Sequence, residues 1–236
     1  MGFTLAEVLI TLGIIGIVAA MTMPALIANY KEKENVVRLK KAYSTLSNAY
    51  ISVLDEYGAP QYWEVESWDE LNEMFAPYIQ HVKICKTGEK GCFANVRRKD
   101  LLNNTVENIS SGAGSALVMN DGIIAGVAAQ IPLNEALQCQ NLNYCFHFVV
   151  DINGDKLPNR WGVDTFIFHV LDDKIIPRGA AGTHGASVMC NPTASSNSDG
   201  WYNGSGCGAW VLQMENMDYL KCVNGNQGYC GKDYYF

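Results

Sequence analysis

The stretch that decides the fold is residues 1–27, MGFTLAEVLITLGIIGIVAAMTMPALI. It is apolar almost from its start, and no charged side chain occurs between Val8 and Tyr30. That uncharged run exceeds the ~20 residues that a helix needs to cross a bilayer. Three interpretations compete: a cleaved secretory signal, a simple membrane anchor, or a helix that first anchors the chain and later serves as a packing element.

The residues that follow argue against a secretory signal, which has a basic segment before a shorter apolar core and a cleavage site after it. Here the basic segment is missing, and the helical pattern continues through residues 31–57. Apolar residues recur there at spacings of three and four, which predicts an amphipathic helix. The predicted buried face is Val36, Leu39, Tyr43, Leu46, Tyr50 and Val53, and the predicted water-facing side carries Glu34, Arg38, Lys41 and Asn48.

These two segments predict one helix over residues 3–57, about 80 Å long at ~1.5 Å per residue. Residues 3–30 form its hydrophobic half, and residues 31–57 form its amphipathic half. Residues 58–236 are then left for a globular head, roughly 180 residues and an ordinary size for one domain.

Two residues in the apolar run are unexpected in a plain anchor. A carboxylate such as Glu7 is unfavourable in lipid and indicates a partner. One candidate partner is the free amino group of a neighbouring copy, which exists at that depth only if the chain is cut before Phe3; alternatively, Glu7 lies at the lipid headgroups. Pro24 removes a helical hydrogen bond, so it predicts either a bend near residues 21–23 or the point of membrane exit.

Composition narrows the class of protein further. The net charge is −7, with 17 Lys and Arg residues against 24 Asp and Glu residues. One short basic cluster, at Arg97, Arg98 and Lys99, is the only electrostatic feature that would suit a nucleic acid. We therefore expect no nucleic-acid partner.

The cysteines predict an oxidising compartment. Zinc sites use closely spaced pairs such as C-x-x-C, and no such pair occurs. Disulfides are therefore favoured, as in a periplasm or at a cell exterior. Of the 105 pairings that eight cysteines allow, we favour sequential neighbours, because each pair closes a short loop containing Gly or Asn. These pairs are Cys85 with Cys92, Cys139 with Cys145, Cys190 with Cys207, and Cys222 with Cys230.

The first residues carry a family resemblance. Gly2-Phe3-Thr4-Leu5-Ala6-Glu7, followed by the apolar run and by Pro24, resembles the N-terminal motif of type IV pilins and type II secretion pseudopilins. The motif is specific and covers about thirty residues. Leaders of this family usually carry Lys or Arg before the glycine, whereas here only Met1 precedes Gly2.

The resemblance implies processing and assembly. A prepilin peptidase would remove residues 1–2 as a leader, cutting between Gly2 and Phe3, and Phe3 would be N-methylated. Glu7 would then pair with the Phe3 amine of another subunit. The chain would be held in the bacterial inner membrane by one span with its head in the periplasm, before joining itself and related subunits in a periplasmic or extracellular filament.

The head is predicted to be α+β, with an antiparallel sheet of about four strands packed on the amphipathic half-helix and a disulfide-stapled C-terminal region. Residues 67–70, SWDE, form a capping box that opens a short helix. A hairpin is predicted around Asn120-Asp121-Gly122. Two strands rich in aromatic and β-branched residues are predicted at 146–152 and 164–171, and a short edge strand at 174–177. A loop is predicted over residues 179–199. The pattern of residues 209–220 suits either a strand or a helix.

One loop of the head has the residues of a metal site. Asp151, Asn153 and Asp155 repeat at a spacing of two, as calcium ligands do, and Asp164 could close the shell. Some pseudopilins bind Ca²⁺ in their heads, which favours this interpretation. The loop differs from an EF-hand because its twelfth residue is Gly162. The alternative is a polar hairpin in which the Asp side chains cap backbone amides.

No catalytic motif is present. His81, His147, His169 and His184 include no HExxH pair, and neither G-x-S-x-G nor a P-loop occurs. We therefore expect no enzyme. Two functions remain: a structural subunit of a pilus or secretion pseudopilus, or a minor tip subunit that binds a surface, a secreted substrate or DNA through exposed aromatics, for which we expect Trp201, Tyr202 and Trp210.

Overall fold

A computed structural model describes most of the chain and divides it into two compact units, Met1–Glu34 and Asn35–Phe236. The residues that it describes are 2, 4–89, 92–93, 98–106, 115–129, 131–140, 144–154, 156–181, 183, 190 and 203–222.

The first helix, α1, spans Leu5–Tyr57, close to the predicted bounds. Pro24 lies inside it, and the helix is continuous on both sides of this residue. The helix ends where Gly58 adopts φ +74°, a conformation that suits glycine, and where the Gly58 N–H donates to the Leu54 carbonyl at 3.0 Å.

The amphipathic half of α1 has the predicted buried face, with two differences. Ala42 and Ala49 are buried as well, because small side chains fill the positions between the larger apolar ones, and Tyr43 is half-buried. The prediction that Arg38 faces water is wrong. It is half-buried, and its guanidinium donates to the Ile152 carbonyl at 3.0 Å.

Short helices flank the sheet. α2 spans Trp68–Phe75, and its predicted cap is confirmed, since the Ser67 hydroxyl accepts from the Glu70 N–H at 3.2 Å. Residues 209–220, which the sequence left undecided between a strand and a helix, lie in two short helices except for residues 215–218. The remaining helices are α3 (Leu133–Ala136), α4 (Gly208–Met214), α5 (Tyr219–Cys222) and two 3₁₀ turns, Pro60–Tyr62 and Ala76–Tyr78.

The sheet is antiparallel, as predicted, and its six described strands pair in chain order. They are β1 (His81–Cys85), β2 (Ala116–Met119), β3 (Ile124–Ala128), β4 (Phe146–Asp151), β5 (Thr165–Val170) and β6 (Ile175–Pro177). The prediction of about four strands was too low mainly because it missed β1. This edge strand is largely exposed and includes Lys83, so its residues do not resemble a buried strand.

The core of the second unit lies between the sheet and α1. Every residue of β4 and of β5 is buried. The ring of Tyr43 on α1 lies 5.3 Å from that of Phe168, and the Tyr50 ring stacks on Phe75 at 6.2 Å. The predicted α+β head, with a sheet packed on the amphipathic half-helix, is therefore confirmed.

Three of the four predicted disulfides are present. They join Cys85 to Cys92 at the end of β1, Cys139 to Cys145 before β4, and Cys190 to Cys207 before α4. The fourth predicted pair, Cys222 with Cys230, stays a prediction because Cys230 lies outside the described residues, as does most of the loop predicted over residues 179–199.

Candidate functional site

The start of α1 holds the residues with the most specific sequence motif. Thr4 caps the helix, because its hydroxyl accepts from the Glu7 N–H at 3.3 Å. In return, Oε2 of Glu7 accepts from the Thr4 N–H at 2.8 Å and from the Thr4 hydroxyl at 2.7 Å. Gly2 is exposed, and Phe3 lies outside the described residues.

This arrangement is a capping box, which sequence reasoning missed although Thr4-Leu5-Ala6-Glu7 has the required T-x-x-E spacing. Glu7 therefore has a partner within its own chain. Both bonds to Thr4 use Oε2, so the carboxylate holds the helix start in place with one of its oxygens.

Residues 8–30 of the first unit are uncharged and mostly apolar on all sides of the helix. No described side chain of residues 4–34 is buried, and Leu5, Met21 and Leu26 are each at least 70% exposed. By length and composition, this part of α1 could cross a membrane.

The predicted calcium loop contains a densely bonded carboxylate in the second unit. Asp164 accepts from the N–H groups of Asn159 at 2.8 Å and Arg160 at 2.6 Å. It also accepts from the Asn153 amide at 3.1 Å and from the Thr165 hydroxyl at 3.3 Å. Both oxygens of Asp164 are thus bound by protein donors, as the polar-hairpin alternative expects.

Asp151 is buried beside a cation. The Arg98 guanidinium lies 3.5 Å from one of its oxygens, and the Asn153 N–H donates to the other at 3.3 Å. Arg98 itself is buried against the rings of Phe93 and Trp161. Burial raises the pKa of Asp151 to about 7, although the charge of Arg98 opposes that shift.

The carboxylates of Asp151 and Asp164 are therefore engaged by protein groups, which favours the polar-hairpin interpretation. Oδ1 of Asn153, by contrast, is buried and has no hydrogen-bond partner among the described residues. The remaining ligand, Asp155, lies outside the described residues, so the calcium site stays a prediction. Within the described ranges, the one cluster of His, Cys or acidic side chains close enough to share a metal is Cys85, Glu89 and Cys92, and its cysteines form a disulfide.

The strand histidines are buried core residues. His147 on β4 and His169 on β5 are register partners, and the Tyr144 ring stacks on His169 with centroids 4.1 Å apart. Burial lowers the pKa of His147 to about 3, with a smaller effect in the same direction from Arg178, so this imidazole is neutral. His184 lies outside the described residues.

The predicted exposed aromatics do not form a surface in the described part of the chain. Trp210 is buried, its ring packs edge-on against Tyr219, and its N–H donates to the Asn216 side chain at 2.9 Å. The prediction that Trp210 is exposed is therefore wrong, because α4 turns this residue inward. Trp201 and Tyr202 lie outside the described residues.

These features define the class of protein: an α+β, disulfide-containing head that follows a helix long and apolar enough to cross a membrane. The chain belongs to a family of unknown function, DUF6613, whose model matches residues 25–175. That match begins after Pro24, covers the amphipathic half of α1 and strands β1 to β5, and ends at the first residue of β6. No curated protein and no solved structure matches the chain.

Proposed function

We propose that this chain is a structural subunit, a pilin or pseudopilin, of a type IV pilus or type II secretion pseudopilus. The observation that carries the proposal is the GFTLAE motif at the start of a helix whose first half is apolar on all sides. A helix with that surface is stable in lipid or among similar helices, and a filament core supplies the second environment.

The disulfides support the same location. Cys85–Cys92, Cys139–Cys145 and Cys190–Cys207 all follow the apolar segment in the chain, and disulfides persist in oxidising compartments. A head in the periplasm, preceded by a span of the bacterial inner membrane, meets that requirement.

The capping box gives Glu7 two functions in this proposal. Oε2 holds Thr4, and Oε1 would accept from the amine of Phe3 on a neighbouring subunit once the leader has been removed. In lipid, this ion pair between copies would offset the unfavourable burial of the carboxylate. Assembly would thereby be coupled to cleavage by a prepilin peptidase, since the uncut chain has no amine at that depth.

The decisive experiment is intact-mass and N-terminal analysis of the protein purified from its native host. We expect a chain that begins at N-methylated Phe3. A mature protein that retains residues N-terminal to Phe3 would overturn the assignment to this class. The same preparation distinguishes the two roles in the class, because a main structural subunit is abundant in sheared filaments and a minor tip subunit is scarce.

A further inference from the structure

A cleft in the second unit lies between α1 and the turn that joins β2 to β3. It is open to solvent and has a volume of about 420 Å³, within the range of small-molecule sites. One wall is a stripe of α1 with Lys41, Thr45 and Asn48. Their spacings of four and three place them on one face of the helix.

The opposite wall comes from two segments that are tied together. Gln80 precedes β1, Asn120 lies in the β2–β3 turn, and the Asn120 N–H donates to the Gln80 carbonyl at 3.2 Å. The buried Met119 adds an apolar surface between these walls. This wall of the cleft is therefore held together by a backbone hydrogen bond.

Polar side chains with unused hydrogen-bonding capacity line this cleft. In the part of the chain that the structure describes, no hydrogen bond is made by the side chains of Thr45, Asn48, Gln80 or Asn120. Each carboxamide offers two N–H donors and one acceptor oxygen, and the hydroxyl offers both functions. Each of these side chains thus presents a hydrogen-bond donor next to an acceptor.

The charge of the cleft is balanced. Nζ of Lys41 lies 2.7 Å from the Asp121 carboxylate, and Lys41 is the one cation among the described residues that line the cleft. A phosphate or carboxylate ligand requires an uncommitted cation or a helix N-terminus. The lining therefore suits a neutral ligand.

Tyr78 supplies an aromatic surface in the same cleft. Its hydroxyl donates to the Glu56 carboxylate, which fixes the ring, and the half-buried Tyr78 side chain forms part of the cleft lining. Tyrosine is an effective contact residue because it combines a large apolar area with few rotatable bonds.

We infer that this cleft binds one or two units of a neutral saccharide, and this inference does not depend on the filament assignment. Sugar hydroxyls donate and accept, so adjacent hydroxyls match the carboxamides, while the C–H face of the ring packs on Tyr78. An extended peptide fits less well, because peptide sites use a free sheet edge or apolar anchor pockets.

The test is saturation-transfer difference NMR on the full chain, held in a detergent that has no sugar headgroup. The probes are glucose, galactose, mannose and N-acetylglucosamine. We expect saturable binding of at least one probe, with a Kd in the millimolar range because the cleft is open and offers few contacts. Saturation transfer to none of the four sugars would overturn the inference.

Variants then locate the site. The double variant Asn48→Ala, Gln80→Ala removes two exposed carboxamides, and alanine favours the helix at residue 48. We expect the probe to bind about tenfold more weakly, the loss of two ordinary hydrogen bonds. Gln61→Ala, which removes an exposed carboxamide from the 3₁₀ turn Pro60–Tyr62, is the matched control. Unchanged binding in the double variant, or an equal loss in the control, would contradict the placement.

Discussion

The two halves of α1 relate sequence to burial in opposite ways. In the hydrophobic half, residues 5–30 of the helix, most side chains are apolar and none is buried. In the amphipathic half, residues 31–57, polar side chains are common, yet seven residues are buried. Mean hydropathy therefore does not show which part of this helix belongs to the core of the chain. The spacing of apolar residues does.

The physical reason is that a core covers one face of a helix. The amphipathic half has one apolar stripe, and the sheet with its phenylalanine side chains covers it. The hydrophobic half is apolar on all sides, and exposure to water costs about 25 cal/mol for each Å² of that surface. We therefore expect changes in the first half to affect the proposed assembly, and changes in the second half to affect folding.

The largest expected effect is at Glu7. Glu7→Ala should abolish filament assembly, because it removes the carboxylate that would pair with the Phe3 amine of another subunit, while the melting temperature of the head stays unchanged. Glu7→Gln sharpens the test, since glutamine still completes a capping box but carries no charge. Electron microscopy of sheared surface fractions measures the result.

Thr4→Ala is the matched control for Glu7. It removes the hydroxyl of the cap but keeps the carboxylate, so filaments should still form. Normal filaments from Glu7→Gln would show that the charge is not needed and would refute the pairing. Loss of filaments from Thr4→Ala alone would identify the cap as the essential feature.

The second-largest expected effect is on the free energy of unfolding, and it differs between two leucines of α1. Leu46 is fully buried, and Leu12 is 60% exposed. Leu46→Ala should lower the free energy of unfolding by about 2 to 5 kcal/mol, whereas Leu12→Ala should change it by less than ~0.5 kcal/mol. Denaturant unfolding of the full chain, followed by tryptophan fluorescence, measures both. Equal losses would contradict the division between the halves.

Much of this fold could be predicted from the sequence where the signal is local. The bounds of α1, the Ser67 cap, and strands β4 and β5 all follow from spacing and residue type within a few positions. β1 was missed because an exposed edge strand has little apolar pattern. Ala42 and Ala49 were missed because small residues carry a weak signal for burial.

The candidate sites, like the fold, could be predicted only where the sequence signal is local. The capping box of Thr4 and Glu7 could be predicted, because its T-x-x-E spacing is a local signal. The burial of Arg98 beside Asp151 could not be predicted, since the two residues are 53 positions apart and only the tertiary fold brings them together. The cleft between Asn48 and Asn120 likewise depends on contacts between distant segments.

The smallest expected effect is the pH dependence of stability that arises from His147 in the second unit. His147 is buried and has a pKa of about 3 in the folded protein, below its ordinary value of 6.5. The unfolded chain therefore binds a proton at His147 that the folded chain does not bind. This contribution to stability is complete above pH 6.5, and it declines progressively as the pH falls toward 3.

His147→Gln isolates that contribution, because glutamine does not titrate. The substitution has its own packing cost in β4, so the useful quantity is the difference in unfolding free energy between variant and wild type at two pH values. From pH 7.5 to pH 5, the wild type should lose about 2 kcal/mol relative to the variant. Asp151, whose raised pKa acts in the opposite direction, is present in both proteins and cancels in the comparison.

A difference that stays constant between the two pH values would mean that the imidazole is protonated within the folded head. Such a result would contradict the placement of His147 among the buried core residues of the second unit.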